Sequence, residues 1–385
     1  MRMSGASRSL LALLLLLATL PLSHLAISAQ NLVATPAVSA QSAYAFDATS
    51  GRELVNLNSD ERRAPASTVK IVTAMVVLDH ADLATEIVIV EDDVTAEGES
   101  SMKLVAGDTV TVDQLLVGLL VPSGNDAART LARHVGTLLL ADSGGDPIVR
   151  FVEAMNAKVA EAGLSNSNFT SPDGLSDDEG QYTTAYDLAH LGAMAMSYDK
   201  VEETVSLYRA TVTSVGPEAR VYELKNTNLL LETADDTELA TEGVVGLKSG
   251  STERAGACLV LAKRQRGGNL VIGVVLGSDL AYDEAGFVSV DGRWDDMRAI
   301  IGSIDDEFAW LNPESMRDVP GLFDELSAWQ VRLQDDSSVV VARELAESIR
   351  YQLELAPQGS TQESAGRVLF FAGPDMIDER PLVSR

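Results

Sequence analysis

Between Val69 and Leu78 the chain is apolar almost without interruption: Val69, Ile71, Val72, Ala74, Met75, Val76, Val77 and Leu78 leave only Lys70 and Thr73 between them. Read at 3.6 residues per turn, this is a helix without a polar face, and such a helix has to be buried on every side. The 385 residues exceed one ordinary domain and are enough to enclose it, so two domains are expected. The helix begins behind Ala64-Pro65-Ala66, a turn signal, which puts Ser67 at its start and Lys70 three residues on, on the same face. A serine hydroxyl becomes a useful nucleophile only when a neighbouring base takes its proton. A lysine serves as that base only where burial or nearby positive charge lowers its pKa. The first N–H groups of a helix are unpaired and partly positive, which suits an oxyanion forming beside Ser67. Taken alone, Ser67-x-x-Lys70 is better read as a helix cap and a solvated lysine, so partners are needed downstream.

In order after residue 40, Ser42 to Asp47 and Glu53 to Leu57 read as two strands joined by Ala48-Thr49-Ser50-Gly51. Ile87 to Val90 is a short strand, and helical spacing resumes at Val112 with Leu115, Leu116, Leu119 and Leu120. That helix stops at Val121-Pro122-Ser123-Gly124-Asn125, and another starts at once with Asp126-Ala127-Ala128. Ser123 and Asn125 thus project from a tight connection, which alone reads as an ordinary cap. Phe151 to Ala162 is an amphipathic helix leading into the turn-rich segment Phe169-Thr170-Ser171-Pro172-Asp173-Gly174-Leu175, and Thr184 to Met196 is a further helix. Lys248-Ser249-Gly250 lies among strands, the strongest being Ala257 to Ala262 and Leu270 to Gly277 around a Gly267-Gly268 turn. One more helix follows Arg293-Trp294-Asp295-Asp296. Beyond Trp310, Val339 to Val341, Ile349 to Leu355 and Val368 to Phe371 suggest a small all-β module. The expected class is α+β: a mixed antiparallel sheet with a helical cluster on it, then a small all-β C-terminal domain. The expected division is a signal peptide at 1–29, a catalytic domain at 41–308 and the C-terminal domain at 314–385.

The first residues have the layout of a secretory signal: Arg2 and Arg8, an unbroken apolar run from Leu10 to Leu20, Pro21, and small residues ending at Ala29, with a second candidate cleavage point after Ala40. Leu10 to Ala29 is also just long enough to span a bilayer as a retained anchor. Export across the cytoplasmic membrane is expected, to an extracellular, periplasmic or wall-associated location, with association at the membrane surface left open. Cleavage after Ala29 removes two arginines and no acid, taking the net charge from −28 to −30, which argues against nucleic-acid binding. Cys258 is the single cysteine, so no internal disulfide forms. The four histidines (His24, His80, His134, His190) stand in no metal-ligand spacing, and neither a Walker loop nor a dinucleotide turn is present, so neither metal nor cofactor is expected.

Ser67-x-x-Lys70, Ser123-x-Asn125 and Lys248-Ser249-Gly250 occur in that order, 56 and then 125 residues apart (123 − 67 and 248 − 123). This set resembles that of penicillin-binding proteins and class A β-lactamases. With Asn226-Thr227-Asn228, Thr183-Thr184-Ala185 and the Phe169 to Leu175 segment, the chain from about Ala43 to Ile300 resembles a D-alanyl-D-alanine carboxypeptidase of the low-molecular-mass penicillin-binding type. The resemblance implies a β-lactamase-like transpeptidase fold and a peptidoglycan stem peptide as substrate, with β-lactams as covalent inhibitors. It further implies Ser67 as nucleophile, Lys70 as base and Ser123 as proton relay. Asn125, Lys248, Ser249, Gly250 and Thr252 would bind substrate, and the backbone N–H groups of Ser67 and Ser251 would hold the oxyanion. Ser249 stands where that family commonly has threonine. Two other readings are a class A β-lactamase and a non-catalytic wall-binding or β-lactam-sensing protein. The first needs a glutamate in an E-x-x-L-N loop; Glu161-Ala162-Gly163-Leu164-Ser165 lacks the asparagine. The second has no use for Ser67, Lys70, Ser123 and Lys248 together.

Overall fold

Asp47 turns the first hairpin. Its carboxylate accepts from the Thr49 and Ser50 N–H groups at 3.1 and 2.8 Å, closing β1 (Ser42–Asp47) onto β2 (Arg52–Leu57). The computed structural model describes residues 33–34, 36–176, 178–233, 238–312, 319–334, 337–356 and 365–385. The signal-like segment 1–29 lies outside them, and among the described residues no helix is long and apolar enough to cross a membrane.

The enclosed helix is α1 (Lys70–His80), buried from Lys70 through Val77. The sequence reading placed Ser67 on this helix; it stands instead in a 3-10 turn (Ala66–Val69) that feeds it. Residues three apart eclipse one another in a 3-10 turn, so Ser67 and Lys70 still share a face. Each large apolar side chain that α1 buries is worth about 1.5–3 kcal/mol.

The helical cluster forms from locally signalled pieces. A short ladder of β3 (Glu86–Val88) and β4 (Thr109–Thr111) precedes α2 (Val112–Leu120), where Thr111 Oγ1 accepts from Gln114 N at 3.2 Å and Gln114 Oε1 accepts from Thr111 N at 3.0 Å. After the Ser123 turn comes α3 (Asn125–Leu140). Next, α4 (Pro147–Glu161) starts four residues ahead of the Phe151 expected, because Asp146 caps it and Pro147 fits its first turn. Thr184 caps α5 (Ala185–Ala195) through Asp187 N at 3.0 Å. The sequence reading passed over α6 (Asp199–Val205) and the hairpin of β5 (Arg209–Thr213) with β6 (Val221–Lys225), whose inward Val212, Tyr222 and Leu224 join the main core.

β7 (Val244–Thr252), β8 (Gly256–Arg264) and β9 (Leu270–Ser278) complete a five-stranded sheet in the order β2-β1-β9-β8-β7. All its pairings are antiparallel, as expected, and the parallel contact Ala34↔Val55 is an isolated bridge. Alternation along β8 splits the core: Cys258, Val260 and Ala262 face the helical cluster, while Leu259 and Leu261 face α7 (Arg293–Glu307) across the other side. Between β9 and α7 a small hairpin, β10 (Leu280–Tyr282) and β11 (Val288–Asp291), projects from the sheet end.

β12 (Phe308–Leu311) pairs with β14 (Val339–Ala342), so the chain is already committed to the C-terminal module at Phe308. The boundary expected at 314 falls among residues 313–318, outside the described ones. The expected all-β module contains a helix, α8 (Leu322–Ala328), whose Leu322 and Leu326 fill its core beside Val331, Val339, Val368 and Phe370. Its sheet runs β13 (Val331–Leu333), β17 (Asp375–Ser384), β16 (Gly366–Ala372), β15 (Ile349–Leu355). Asp47 Oδ2 accepts from Trp310 Nε1 at 2.9 Å and from Asn269 Nδ2 at 3.0 Å, tying this module to the main sheet.

Candidate active site

Lys70 Nζ donates to Ser67 Oγ at 3.0 Å, to Asn125 Oδ1 at 2.6 Å and to the Asp173 carbonyl at 2.7 Å. The amine is thereby fixed from three directions, and its residue is 0 % exposed. Two walls close on the Ser67 turn. On one, the Phe169 to Leu175 segment crosses it so closely that a Cβ on Gly174 would stand 2.1 Å from the Ala66 carbonyl oxygen; Thr73 Oγ1, donating to the Pro172 carbonyl at 2.6 Å, pins the same segment to α1. On the other, the edge strand β7 runs past, and a Cβ on Gly250 would stand 2.7 Å from Ser67 N. Gly250 is needed for this approach, which sets the end of β7 beside the Ser67 N–H. The turn itself is unusual, since Ala66 has φ 49°.

The Ser123 turn makes the third wall. Ser123 is buried and held at φ 64°, a left-handed conformation that costs a non-glycine residue about 1 kcal/mol or more and is kept by its surroundings. The turn is fixed by Gly124 N donating to the Gly118 carbonyl at 2.9 Å and Asn125 N to the Ser100 carbonyl at 2.8 Å, and the segment beside it by fully buried Asp126, whose carboxylate accepts from Ser101 Oγ at 2.6 Å and from the Met102 and Leu104 N–H groups at 3.1 and 3.0 Å. Asn226-Thr227-Asn228 joins this wall to β7: Thr227 N donates to the Val121 carbonyl at 3.2 Å, its hydroxyl meets Ser249 Oγ at 2.8 Å, and Asn228 Nδ2 donates to the Gly246 carbonyl at 3.1 Å.

The structure therefore brings Ser67, Lys70, Asn125 and Gly250 into direct contact or near contact, with Ser249 on the adjoining strand. Lys248, 1 % exposed, points its amine back to the Ser249 carbonyl at 2.8 Å. Two residues read as substrate-binding are occupied otherwise. Asn125 spends its amide on Lys70 and, through Nδ2, on Glu99 Oε2 at 3.1 Å. Thr252 Oγ1 accepts from Ala255 N at 3.0 Å in the β7–β8 turn.

A family model described as D-alanyl-D-alanine carboxypeptidase matches residues 29–280. The chain belongs to the D-alanyl-D-alanine carboxypeptidase family. It is 35% identical over 254 residues to the D-alanyl-D-alanine carboxypeptidase of Streptomyces sp. strain K15, covering 64% of this chain and 83% of that protein. It is 34% identical over 267 residues to the carboxypeptidase DacC of Escherichia coli, covering 66% of this chain and 60% of that protein. The crystal structure of the Streptomyces K15 DD-transpeptidase superposes with a TM-score of 0.61 at 33% identity, over 71% of this chain and 99% of that one. The family match ends at Leu280, the first residue of β10, and leaves out β11, α7 and the C-terminal module.

In this carboxypeptidase the two site lysines differ in their neighbours. Burial lowers Lys70 to about 8, with Asp173, Asp126 and Glu99 pulling it back up and Arg129 pushing it down. The nearby positive charge expected beside Lys70 is thus supplied by Arg129. Burial, then Lys70, then Arg293 push Lys248 well below the ordinary lysine range. The main causes acting on Lys248 include no carboxylate among the described residues, whereas Asp173, Asp126 and Glu99 partly offset burial at Lys70.

Four site residues escaped the sequence reading: Glu99, Arg129, Asp126 and Arg293. Arg293, buried at the start of α7, donates to the Gly250 carbonyl at 2.8 Å, the Cys258 carbonyl at 3.1 Å and the Ser251 hydroxyl, and is held by Asp291 at 2.6 Å. Arg129 alone left a usable trace, standing four residues after Asn125 on one helix face.

Proposed function

We propose that the protein removes the terminal D-alanine from peptidoglycan stem peptides by way of an acyl-Ser67 ester, and that β-lactams acylate the same serine. The observation that carries this is the 3.0 Å contact between the buried Lys70 amine and Ser67 Oγ, set among three walls.

The terminal carboxylate of the peptide sits on Lys248 and the Ser249 hydroxyl. Its charge favours the protonated Lys248, and that cation disfavours the proton on Lys70. Neutral Lys70 then takes the Ser67 hydroxyl proton as Oγ attacks the penultimate D-alanine carbonyl, while the Ser67 and Ser251 N–H groups receive the oxyanion. The C–N bond breaks, and the departing amine takes a proton passed from Lys70 through the Ser123 hydroxyl. Water adds to the ester with Lys70 again accepting a proton, and Ser67 is regenerated. Asn125 works mainly by fixing Lys70.

The β-lactamase reading finds no support in Glu161, which ends α4 with its side chain exposed. Incubation with a diacyl D-Ala-D-Ala tripeptide should release free D-alanine with turnover. Rapid penicillin hydrolysis without D-alanine release would favour a β-lactamase, and binding without either reaction a sensor. The basic tip and apolar run at the start of the chain support export, with the wall or the membrane surface as the place of work. Cell fractionation tests this, and protein found in the cytosol with residues 1–29 intact would refute it.

A further inference from the structure

We propose that Arg129 is a positioning residue for this reaction, tying the loop of Asp173 to the loop of Glu99 and so holding both protein acceptors of the Lys70 amine other than Ser67. The proposal rests on the carboxypeptidase reading above.

The contacts form a closed circuit. Lys70 Nζ donates to the Asp173 carbonyl at 2.7 Å and to Asn125 Oδ1 at 2.6 Å. The Asp173 carboxylate accepts from Arg129 Nε at 3.2 Å, Arg129 Nη2 donates to Glu99 Oε2 at 2.8 Å, and the same Glu99 oxygen accepts from Asn125 Nδ2 at 3.1 Å. Asn125 and Arg129 are one turn apart on α3, a rigid rail, whereas Asp173 and Glu99 lie on irregular segments. A planar guanidinium reaches two carboxylates through separate N–H groups; an ammonium offers one point charge and no fork. The Arg129 side chain is 28% exposed and Asp173 7%, so the Asp173 arm is the better shielded from solvent.

The circuit also sets the charge facing Lys70. Asp173 faces it from its loop, Asp126 and Arg129 from α3, Glu99 from its own loop, and Lys248 from β7 with Arg293 behind. Arg129 offsets the three acids, all of which favour the protonated amine. Removing it lets Lys70 hold its proton to higher pH, and removing the Glu99 charge does the reverse.

The test is the rate of Ser67 acylation by a fluorescent penicillin from about pH 6 to about pH 10. Arg129→Gln should move the acid limb upward by roughly half to one pH unit, a loss of about three- to tenfold well below the midpoint that closes above it. Glu99→Gln should move the limb downward. Arg129→Lys should leave the limb near its parental position with a lower plateau. A profile for Arg129→Gln that parallels the parent at every pH, or a Glu99→Gln shift of the same sign as Arg129→Gln, overturns the proposal. If Arg129→Gln fails to fold, Arg129→Lys and Glu99→Gln decide it. If the parent itself takes no penicillin at any pH, the carboxypeptidase reading is what fails. NMR titration of the Lys70 amine in nitrogen-15 lysine-labelled protein then still reads Arg129: an upward shift in Arg129→Gln sustains its role, and no shift removes it.

Discussion

Replacing Lys70 by methionine should change the stability of the protein in opposite directions at neutral and at alkaline pH. An unfolded lysine holds its proton to its ordinary 10.5, whereas the buried Lys70 holds it to about 8. Between those values the unfolded chain binds more protons than the folded one, so this group's contribution to stability rises with pH across that window. At and below about pH 8 the native state carries the full penalty, roughly 3 kcal/mol for about 2.5 units at 1.36 kcal/mol each. The residue is fully buried, so no solvent discount applies. Methionine keeps the length and the packing and removes the penalty, but leaves Asn125 Oδ1 and the Asp173 carbonyl without a donor, at about 1 kcal/mol each. The balance is a gain of about 1 kcal/mol near pH 7, a loss of about 2 kcal/mol above pH 10.5, and a crossing near pH 9. Urea unfolding of parent and variant at about pH 7 and about pH 10 measures it, because titrating groups away from Lys70 are common to both and cancel, while Lys248, which Lys70 pushes down, is relieved in the variant and adds to the gain at the lower pH. A stability difference that does not move with pH would refute the lowered Lys70 pKa and the base assignment built on it.

Three further outcomes are expected. Ser67→Ala should abolish both penicillin labelling and D-alanine release while costing only about 1 kcal/mol of stability, since the side-chain bond lost is the one Ser67 Oγ accepts from Lys70; a penicilloyl group mapped by mass spectrometry to another residue would show the nucleophile to be misplaced. Acylation of the parent should fall about tenfold per pH unit below the Lys70 value of about 8, and a flat profile through that region would exclude Lys70 as the base. Lys248→Ala should weaken use of a peptide ending in a free carboxylate by about 1.5–3 kcal/mol, with little effect on the same peptide as its terminal amide; equal losses on both would place the carboxylate elsewhere.

Much of the fold is written locally. The apolar run after Val69, the Thr111 and Thr184 caps and the Asp47 turn each act over a few residues, and each forms where the pattern places it. Pro147 and Asp146 show the limit: their helix start was legible, yet periodicity first catches the eye at Phe151. The three motifs were equally visible as residue types in order. That Ser67 stands in a 3-10 turn, that Asn125 serves Lys70, and that Thr252 is spent on its own turn were not, because a side chain's partner depends on where other segments pass.

The sequence by itself determined the longer helices of the catalytic part, the strong strands and the set of reactive groups, since these follow from neighbours along the chain. Only the tertiary structure decided which groups share the Lys70 proton. Asp173 lies 103 residues from Lys70 and Asn125 lies 55, and Glu99 is 30 from Arg129. Their meeting depends on loop paths with no periodicity to read, and the Lys70 pKa depends on removal from water and on the sum of charges around it. Both are properties of enclosed space, which no stretch of residues possesses alone.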